Sequence, residues 1–370
     1  MKAQESQLIA GGDHDFTALE SYSYVQRLQV AIVQHLQNVP EFQRLQALRK
    51  EGWEKSTGDH HFAKQRQAAD NGDAKTAVYF YNMMQKIARE MNQDCSALKL
   101  KSFSPHQLSI LDMCMAPGGY LTTALRLNPQ AKALAFTLPP ADGGHDVLLP
   151  ESSRVTTRFL DVTMLAADAG ISSNEIPPDH PYADKFLSSQ ISEDQRFDLT
   201  FCDGQVRRTH PRPEHRKRRE ATRLILTQLI ISLTHLKPGG TMVVLLHKLE
   251  APDVVLLLHA FDKFATVRLF KPIKSHATRS SFYMIATDVM SHSGEAKAAI
   301  ERWRNTWKIA TFEFGIERSV YTALVHKDSP EVERVVEEFG ARLIELGRKI
   351  WDIQANALEK ASWMREGEIG

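Results

Sequence analysis

The spacing of apolar residues changes twice along the chain. From Tyr22 to Arg49 leucines, valines and other apolar residues recur three and four apart, which predicts helix. Between residues 96 and 290 the rhythm becomes short apolar runs separated by helical stretches. The runs are Leu108–Leu111, Ala133–Leu138, Phe197–Cys202, Met242–Leu246 and Ser281–Thr287. That alternation predicts an α/β fold, a Rossmann-like, mostly parallel, doubly wound sheet. After 290 the helical spacing returns, in Ala296–Ile309 and Pro330–Trp363. The chain thus divides into an N-terminal helical extension (1–95), an α/β core (96–290) and a C-terminal helical extension (291–370). Residues 175–196, with Pro177, Pro178 and Pro181, read as a surface insertion. Leu236-Lys237-Pro238-Gly239-Gly240 reads as a helix stop and turn ahead of a strand.

Composition narrows this picture without redirecting it. At 370 residues, 42% hydrophobic and 25% charged, the chain has the makeup of a soluble globular protein with one core and extensions. No apolar run reaches the roughly 18–20 residues of a membrane span. The opening Met1–Ser6 lacks the apolar run of a secretory signal. Cys95, Cys114 and Cys202 are few and lack metal-ligand spacing, so a reducing compartment, cytoplasmic or nuclear, is expected and no metal. Asp59-His60-His61 reads as a surface turn, and the Trp and Phe residues from 303 to 363 as core. With 46 basic against 45 acidic residues, any nucleic-acid footprint must be local.

The candidate chemistry sits at strand ends. Asp112-Met113-Cys114-Met115-Ala116-Pro117-Gly118-Gly119-Tyr120 directly follows the first core run. A strand entering a Gly-Gly turn and then a helix allows close backbone approach to a ligand at the helix N-terminus. The bland alternative is a tight bend. Asp203-Gly204 closes the Phe197–Cys202 run, and Lys248 follows Met242–Leu246. Open α/β sheets bind ligands at these carboxyl ends. The plain alternatives are a solvated strand end for Lys248 and a helix N-cap for Asp161. From residue 207 to 223 the chain carries eight Lys/Arg against two Glu. This cluster is either a solvated face or a phosphate-binding rim of Arg207, Arg208, Arg216, Lys217, Arg218 and Arg219. Lys271, Lys274, His276 and Arg279 would extend that rim.

The order of these motifs resembles the FtsJ/RrmJ family of RNA ribose 2′-O-methyltransferases over about residues 75–290. The Asp112–Tyr120 segment resembles that family's S-adenosylmethionine loop, and Phe201-Cys202-Asp203-Gly204 its catalytic-aspartate strand. Leu236–Lys248 resembles its strand ending in the catalytic lysine, and Lys271–His276 its Lys-Pro-x-x-Ser-Arg segment. The resemblance implies S-adenosyl-L-methionine as cofactor, held by Asp112, Ala116, Pro117, Gly118, Gly119, Tyr120, Asp161 and Asp203. No acid ends the Ala133–Leu138 strand, so backbone contacts from Thr137 and Leu138 stand in for the usual ribose-binding acid. The family's Lys-Asp-Lys-Glu tetrad maps onto Lys86, with Lys75 as second choice, then Asp203, Lys248 and, at the glutamate position, Ser281. The chain departs from the family there, and in the long spacing from Lys86 to Asp112. RNA is the expected partner. A small-molecule O-methyltransferase and a non-catalytic RNA- or cofactor-binding relative remain alternatives, and the oligomeric state is open.

Overall fold

The computed structural model describes residues 23–54, 74–100, 107–206 and 212–365. Arg207, Arg208 and Asp59-His60-His61 lie outside them. Two helices come first, α1 (Tyr24–Leu36) and α2 (Pro40–Glu54), then a long one, α3 (Ala74–Cys95). The core follows as β1 (Ser109–Asp112), α4 (Gly119–Leu127), β2 (Lys132–Thr137), β3 (Val155–Phe159) and β4 (Phe197–Cys202). It continues through α5 (Glu214–Lys217), α6 (Glu220–Thr234), β5 (Leu236–His247), α7 (Pro252–Asp262), β6 (Thr266–Phe270) and β7 (Ser281–Val289). Helices α8 (Gly294–Phe312), α9 (Arg318–Val325), α10 (Val332–Glu359) and the short α11 (Ser362–Arg365) end the chain.

The strands form one seven-stranded sheet in the order β3-β2-β1-β4-β5-β7-β6. β1 pairs in parallel with β2 and β4, β2 with β3, and β4 with β5, while β7 runs antiparallel between β5 and β6. The doubly wound α/β expectation therefore holds, with strand order reversing direction at β1. Central strands of such a sheet are covered on both faces, so they are largely apolar. Phe197, Leu199 and Phe201 of β4 are fully buried, as are Met242 and Val244 of β5.

One face of the sheet carries α3 and α4. There Met83, Ile87, Ala88 and Met91 of α3 meet Leu121 and Ala124 of α4 over Ile110, Phe201 and Val243. The opposite face carries α6 and the terminal helices in one continuous core, which includes Leu28, Ile230, Trp307, Phe339 and Trp351. α10 buries Val332, Val335, Phe339, Leu343, Ile350 and Trp351 at helical spacing. The two extensions also hold each other. Phe42 of α2 packs edge-on to Trp351 at 5.3 Å between centroids, and Arg44 donates to Asp352 (3.0 Å), Asn356 (2.8 Å) and Glu359.

One sequence expectation changes. Leu236–Gly240 is not a turn. β5 begins at Leu236, and its pairing with β4 shifts register between Phe197 and Leu199, accommodating Pro238 and Gly239 at an exposed, irregular start. The 175–196 insertion does lie mostly at the surface, but it is anchored. Ile191 is buried in the core, Phe186 and Leu187 pack against it, and the Asp168 carboxylate accepts the Gln190 (2.9 Å) and Ile191 (2.8 Å) backbone amides.

Gly119 sets how closely α3 approaches α4. A methyl carbon added there would lie 2.5 Å from both the Met84 Cβ and the Tyr81 carbonyl oxygen, which are backbone-fixed atoms. Gly119→Ala is expected to destabilise the protein by about 2–3 kcal/mol through overpacking. Gly294→Ala at the start of α8, where an added Cβ meets nothing within 4 Å, is expected to stay within about 0.5 kcal/mol of wild type. Denaturant titration of the two variants checks the contrast.

Candidate active site

The carboxyl ends of β1 and β4 lie side by side, with Asp112 in register with Phe201. They bring two acids together, Asp112 (2% exposed) and Asp203. Burial pushes Asp203 up from the usual carboxylate value of 3.8 to about 7. Burial raises Asp112 well above its ordinary range, and the neighbouring Asp203 charge adds to it. Asp112 accepts a long hydrogen bond from the Cys114 amide at 3.3 Å, which orders the turn after β1. No ion pair joins either acid to a cation among the described residues. The thiols beside them are inert, since burial pushes Cys202 up to about 12 and raises Cys114 as well.

Backbone on both sides of the acids is fixed. The Ala116–Pro117 bond is cis, and Gly118 is left-handed at φ 103°. The Pro117 carbonyl accepts the Leu148 amide at 3.0 Å, so residues 148–149 fold over the turn. A Cβ on Gly118 would meet the Leu149 Cβ at 3.0 Å and the Met115 sulfur at 3.1 Å. The two glycines are therefore required first by protein contacts, with Leu149 over one and α3 under the other, rather than by ligand approach alone. On the β4 side, Gln228 of α6 grips Gly204 twice. It accepts from the Gly204 amide at 2.9 Å and donates to its carbonyl at 3.3 Å. A side chain on Gly204 would collide with Cys114. Gln228 was not foreseen; its only signal is a lone amide within the apolar stretch Leu224–Ile231.

Lys248 stands one residue past β5, at φ 55°. Its amide donates to the Ser280 carbonyl (3.0 Å) and its carbonyl accepts the Ala251 amide (2.8 Å), so its backbone is pinned while its side chain is exposed. Ser281, 6% exposed, lies in register with His247, the residue before Lys248. His247 shares a 3.1 Å hydrogen bond with Gln205, and burial lowers its pKa, with Arg279 and Lys271 adding to the effect.

Beneath this end of the sheet lies a charged network that sequence reasoning missed. Arg49 of α2 pairs with the fully buried Glu250 at 2.5 Å and donates to Gln354 of α10 at 2.9 Å. Gln354 in turn donates to the Thr278 carbonyl at 3.2 Å. Lys271 belongs here and not on a rim. It is 2% exposed and donates to the Arg279 (2.6 Å) and Ser281 (2.8 Å) carbonyls. Burial, and then the Arg49 charge, lowers it to about 7. Both terminal extensions thereby hold the two loops that flank Lys248.

Several assigned residues lie elsewhere. Lys86 is on the solvent face of α3, opposite the face that packs on the sheet, and Lys75 is likewise exposed. Tyr120 is engaged within the core. Its ring is buried between Phe201 and Tyr283, and its hydroxyl hydrogen-bonds that of Tyr283. The Thr137 carbonyl is taken by the Leu160 amide at 2.9 Å, and the Leu138 carbonyl faces Gly144. Asp161 is the N-cap of a single turn. It accepts from the Thr163 amide (2.9 Å) and hydroxyl (2.7 Å) and pairs with Arg216 at 3.0 Å. Burial works to raise its pKa, but Arg216 and Thr163 outweigh it and hold the carboxyl below its usual value.

The basic cluster is largely turned inward, which corrects the rim assignment for Arg216 and Arg219. Arg216 is held between Asp161 and Glu220. Arg219 stacks on Tyr321 at 4.2 Å and donates to the Glu313 and Ile316 carbonyls, and Arg223 pairs with Glu220 at 3.0 Å. Such charges enter the interior only because partners meet them. Of the described members of the rim, Lys217, Arg218, Lys274 and Arg279 remain at the surface.

A seven-stranded, mostly parallel sheet with one antiparallel strand, and acids and a lysine at its carboxyl edge, has the architecture of a Rossmann-like methyltransferase. The sequence matches the FtsJ-like methyltransferase family over residues 90–289, more than half of its length, and the chain belongs to that family. Among solved structures, one described as a ribosomal RNA methyltransferase from Plasmodium falciparum is 16% identical, with a TM-score of 0.36, covering 56% of this chain and 96% of that one. An rRNA methylase from Streptococcus thermophilus is 12% identical with a TM-score of 0.32, covering 55% and 96%. Human methyltransferase-like protein 13 in complex with SAH is 14% identical with a TM-score of 0.33, covering 58% and 92%. These structural likenesses are too low to add to the family match. No curated protein matches the chain. No described helix is long and apolar enough to cross a membrane, and the described residues hold no cluster of three or more metal-ligating side chains.

The acid pair carries a pH signature. A carboxyl raised from 3.8 to about 7 on folding binds a proton in the native state that the unfolded chain releases. Stability therefore falls as pH rises from about 4 to about 7 and then levels off. Asp203→Asn removes the like-charge contact and is expected to stabilise the protein at pH 8 by about 2 kcal/mol, a figure discounted because Asp203 keeps some solvent contact. The same substitution should flatten the slope between pH 4 and 7. Thermal unfolding across that range checks it, and a variant as pH-sensitive as wild type would locate the titration elsewhere.

Proposed function

We propose that the protein transfers a methyl group from S-adenosylmethionine to a ribose 2′-hydroxyl of RNA. The observation that carries this reading is the pair of desolvated acids Asp112 and Asp203, joined to no cation among the described residues, beside the Gly118 turn and on the same sheet edge as Lys248. The fit of the cofactor rests on the chemistry of those acids. Two desolvated carboxyls without an ion-pair partner among the described residues favour a positively charged guest, which would relieve their mutual repulsion. When bound, S-adenosylmethionine supplies an electrophilic methyl group on a positively charged sulfur. Asp112, Gly118 and Asp203 would hold it, since the remaining assigned contacts from Asp161, Thr137 and Tyr120 are engaged within the protein.

A ribose hydroxyl is a weak acid, so the acceptor needs its proton removed and its oxygen held in line. Lys248 is placed for this. Its backbone is pinned on both sides and its amine is at the surface, where an acceptor enters. Ser281 leaves the family's glutamate position without a carboxylate. Lys271, tied to the Ser281 carbonyl, keeps the strand end in place instead. With Lys86 turned to solvent, Asp203 is the assigned acid left on the same sheet edge as Lys248. A small-molecule acceptor and a non-catalytic role are the alternatives that the assay below separates.

Transfer of labelled methyl from S-adenosylmethionine to total RNA, followed by nucleoside analysis, tests the reading. Wild type should yield alkali-resistant 2′-O-methyl dinucleotides. Lys248→Ala should lose about 100-fold or more in turnover, the usual share of a general base, while cofactor affinity measured by calorimetry changes little. Full RNA methylation by Lys248→Ala would remove Lys248 from the mechanism. Label appearing on a small alcohol or phenol and never on RNA would move the protein to the small-molecule class. Absence of cofactor binding would leave the non-catalytic relative.

A further inference from the structure

Arg216, Arg219 and Arg223 are committed to carboxylates and carbonyls inside the protein, so among the described residues the cations open to a polyanion are others. Three of the most exposed large apolar side chains lie on two neighbouring segments at the carboxyl edge of the sheet. These are Tyr79 (64% exposed) and Val78 (48%) on α3, and Ile273 (66%) on the β6–β7 loop. The two segments run alongside each other. At one end the Ile273 amide donates to Glu90 of α3 at 2.7 Å. At the other, Arg279 lies within electrostatic reach of Tyr79.

Tyr79, Lys86 and Glu90 are seven and four residues apart, which places them on one stripe of α3 about 16 Å long. Lys86 and Lys274 are exposed along it. Phe80, inclined 65° to Tyr79 with centroids 5.7 Å apart, buttresses the Tyr79 ring while leaving it largely open. Arg279 also acts on His247, which precedes Lys248, so the strip leads to the candidate base.

We propose that this strip, from Lys86 and Ile273 to Tyr79 and Arg279, is the track on which a single-stranded RNA segment lies. One base stacks on Tyr79, and the flanking phosphates meet Lys86, Lys274 and Arg279. The proposal rests on RNA as the substrate and adds where it is held. An exposed aromatic ring set among separated cations suits a base with its phosphates. It also gives Lys86 a use on the face where the fold puts it.

Fluorescence anisotropy with a labelled single-stranded oligoribonucleotide of about a dozen nucleotides tests the track, alongside methyl transfer to the same RNA. Tyr79→Ala should weaken binding about tenfold or more, and Tyr79→Phe should retain it, since stacking needs the ring and not the hydroxyl. Lys86→Gln and Arg279→Gln should each flatten the log–log salt slope by roughly 0.7, the value for a single strand. The double variant Lys217→Gln/Arg218→Gln, on the rival surface, should bind as wild type. Melting curves exclude misfolding, and Tyr79, being exposed, is safe to truncate. Tyr79→Ala binding as tightly as wild type, or the loss appearing in the Lys217/Arg218 variant, overturns the track while RNA methylation stands. RNA bound through Tyr79 without methyl transfer upholds the track and removes the methylation reading. Wild type that binds no RNA overturns both.

Discussion

A charge taken out of water must be met by an opposite charge or by hydrogen bonds, and much of this chain's interior is arranged to meet that demand. Arg216 and Arg223 enter because Asp161 and Glu220 await them. Arg219 enters because α8 and the segment after it offer carbonyls and Tyr321 offers a ring face. Lys271 enters because the β6–β7 loop turns its own carbonyls toward it. Asp112 and Asp203 are the exception. They are buried next to each other, with no ion pair among the described residues, and the strain shows in their raised pKa values. An exception of this kind at the carboxyl edge of a parallel sheet marks the site, since perturbed acids gather where function needs them.

The same constraint ties the extensions to the core. Arg49 and Gln354 come from opposite ends of the chain, yet both bear on Glu250 and the β6–β7 loop. Removing either helix would leave a buried carboxylate or carbonyl without its partner. The helical extensions are therefore part of what shapes the candidate site, and the family match over residues 90–289 covers the sheet and α4 to α7 but neither the terminal helices nor most of α3.

Much of the fold was legible because its signals are local. Met242–Leu246 is apolar without alternation, as a strand covered on both faces can be, and Phe197–Cys202 is largely apolar, with Asp198 and Thr200 set between its large side chains. α10 repeats its apolar residues every three or four positions. The strand–Gly-Gly–helix unit and the acid after β4 were legible as chemistry at strand ends. The start of β5 was not, because Pro238 and Gly239 signal a turn while the neighbouring β4 backbone supplies the pairing that makes a strand. The 175–196 segment looked like an insertion because its prolines are visible in sequence, whereas the Asp168 carboxylate that anchors it lies more than twenty residues from the Gln190 and Ile191 amides it holds.

Sequence by itself determined the class of fold, the order of its strands along the chain and the residue types at their carboxyl ends, because each depends on periodicity or on neighbours within a few positions. Tertiary structure decided which charges face inward. Eight basic residues in a row of seventeen look alike in sequence. Only the approach of Asp161, Glu220 and the Glu313–Ile316 carbonyls separates Arg216, Arg219 and Arg223 from the surface pair Lys217 and Arg218. Lys86 was assigned as a lysine on a helix ahead of the Gly-Gly strand, despite its long spacing to Asp112, yet the face of α3 that packs on α4 leaves it in solvent. Burial and pairing are properties of three-dimensional neighbours, and a lysine's or an arginine's role follows from those neighbours rather than from its own position in the chain.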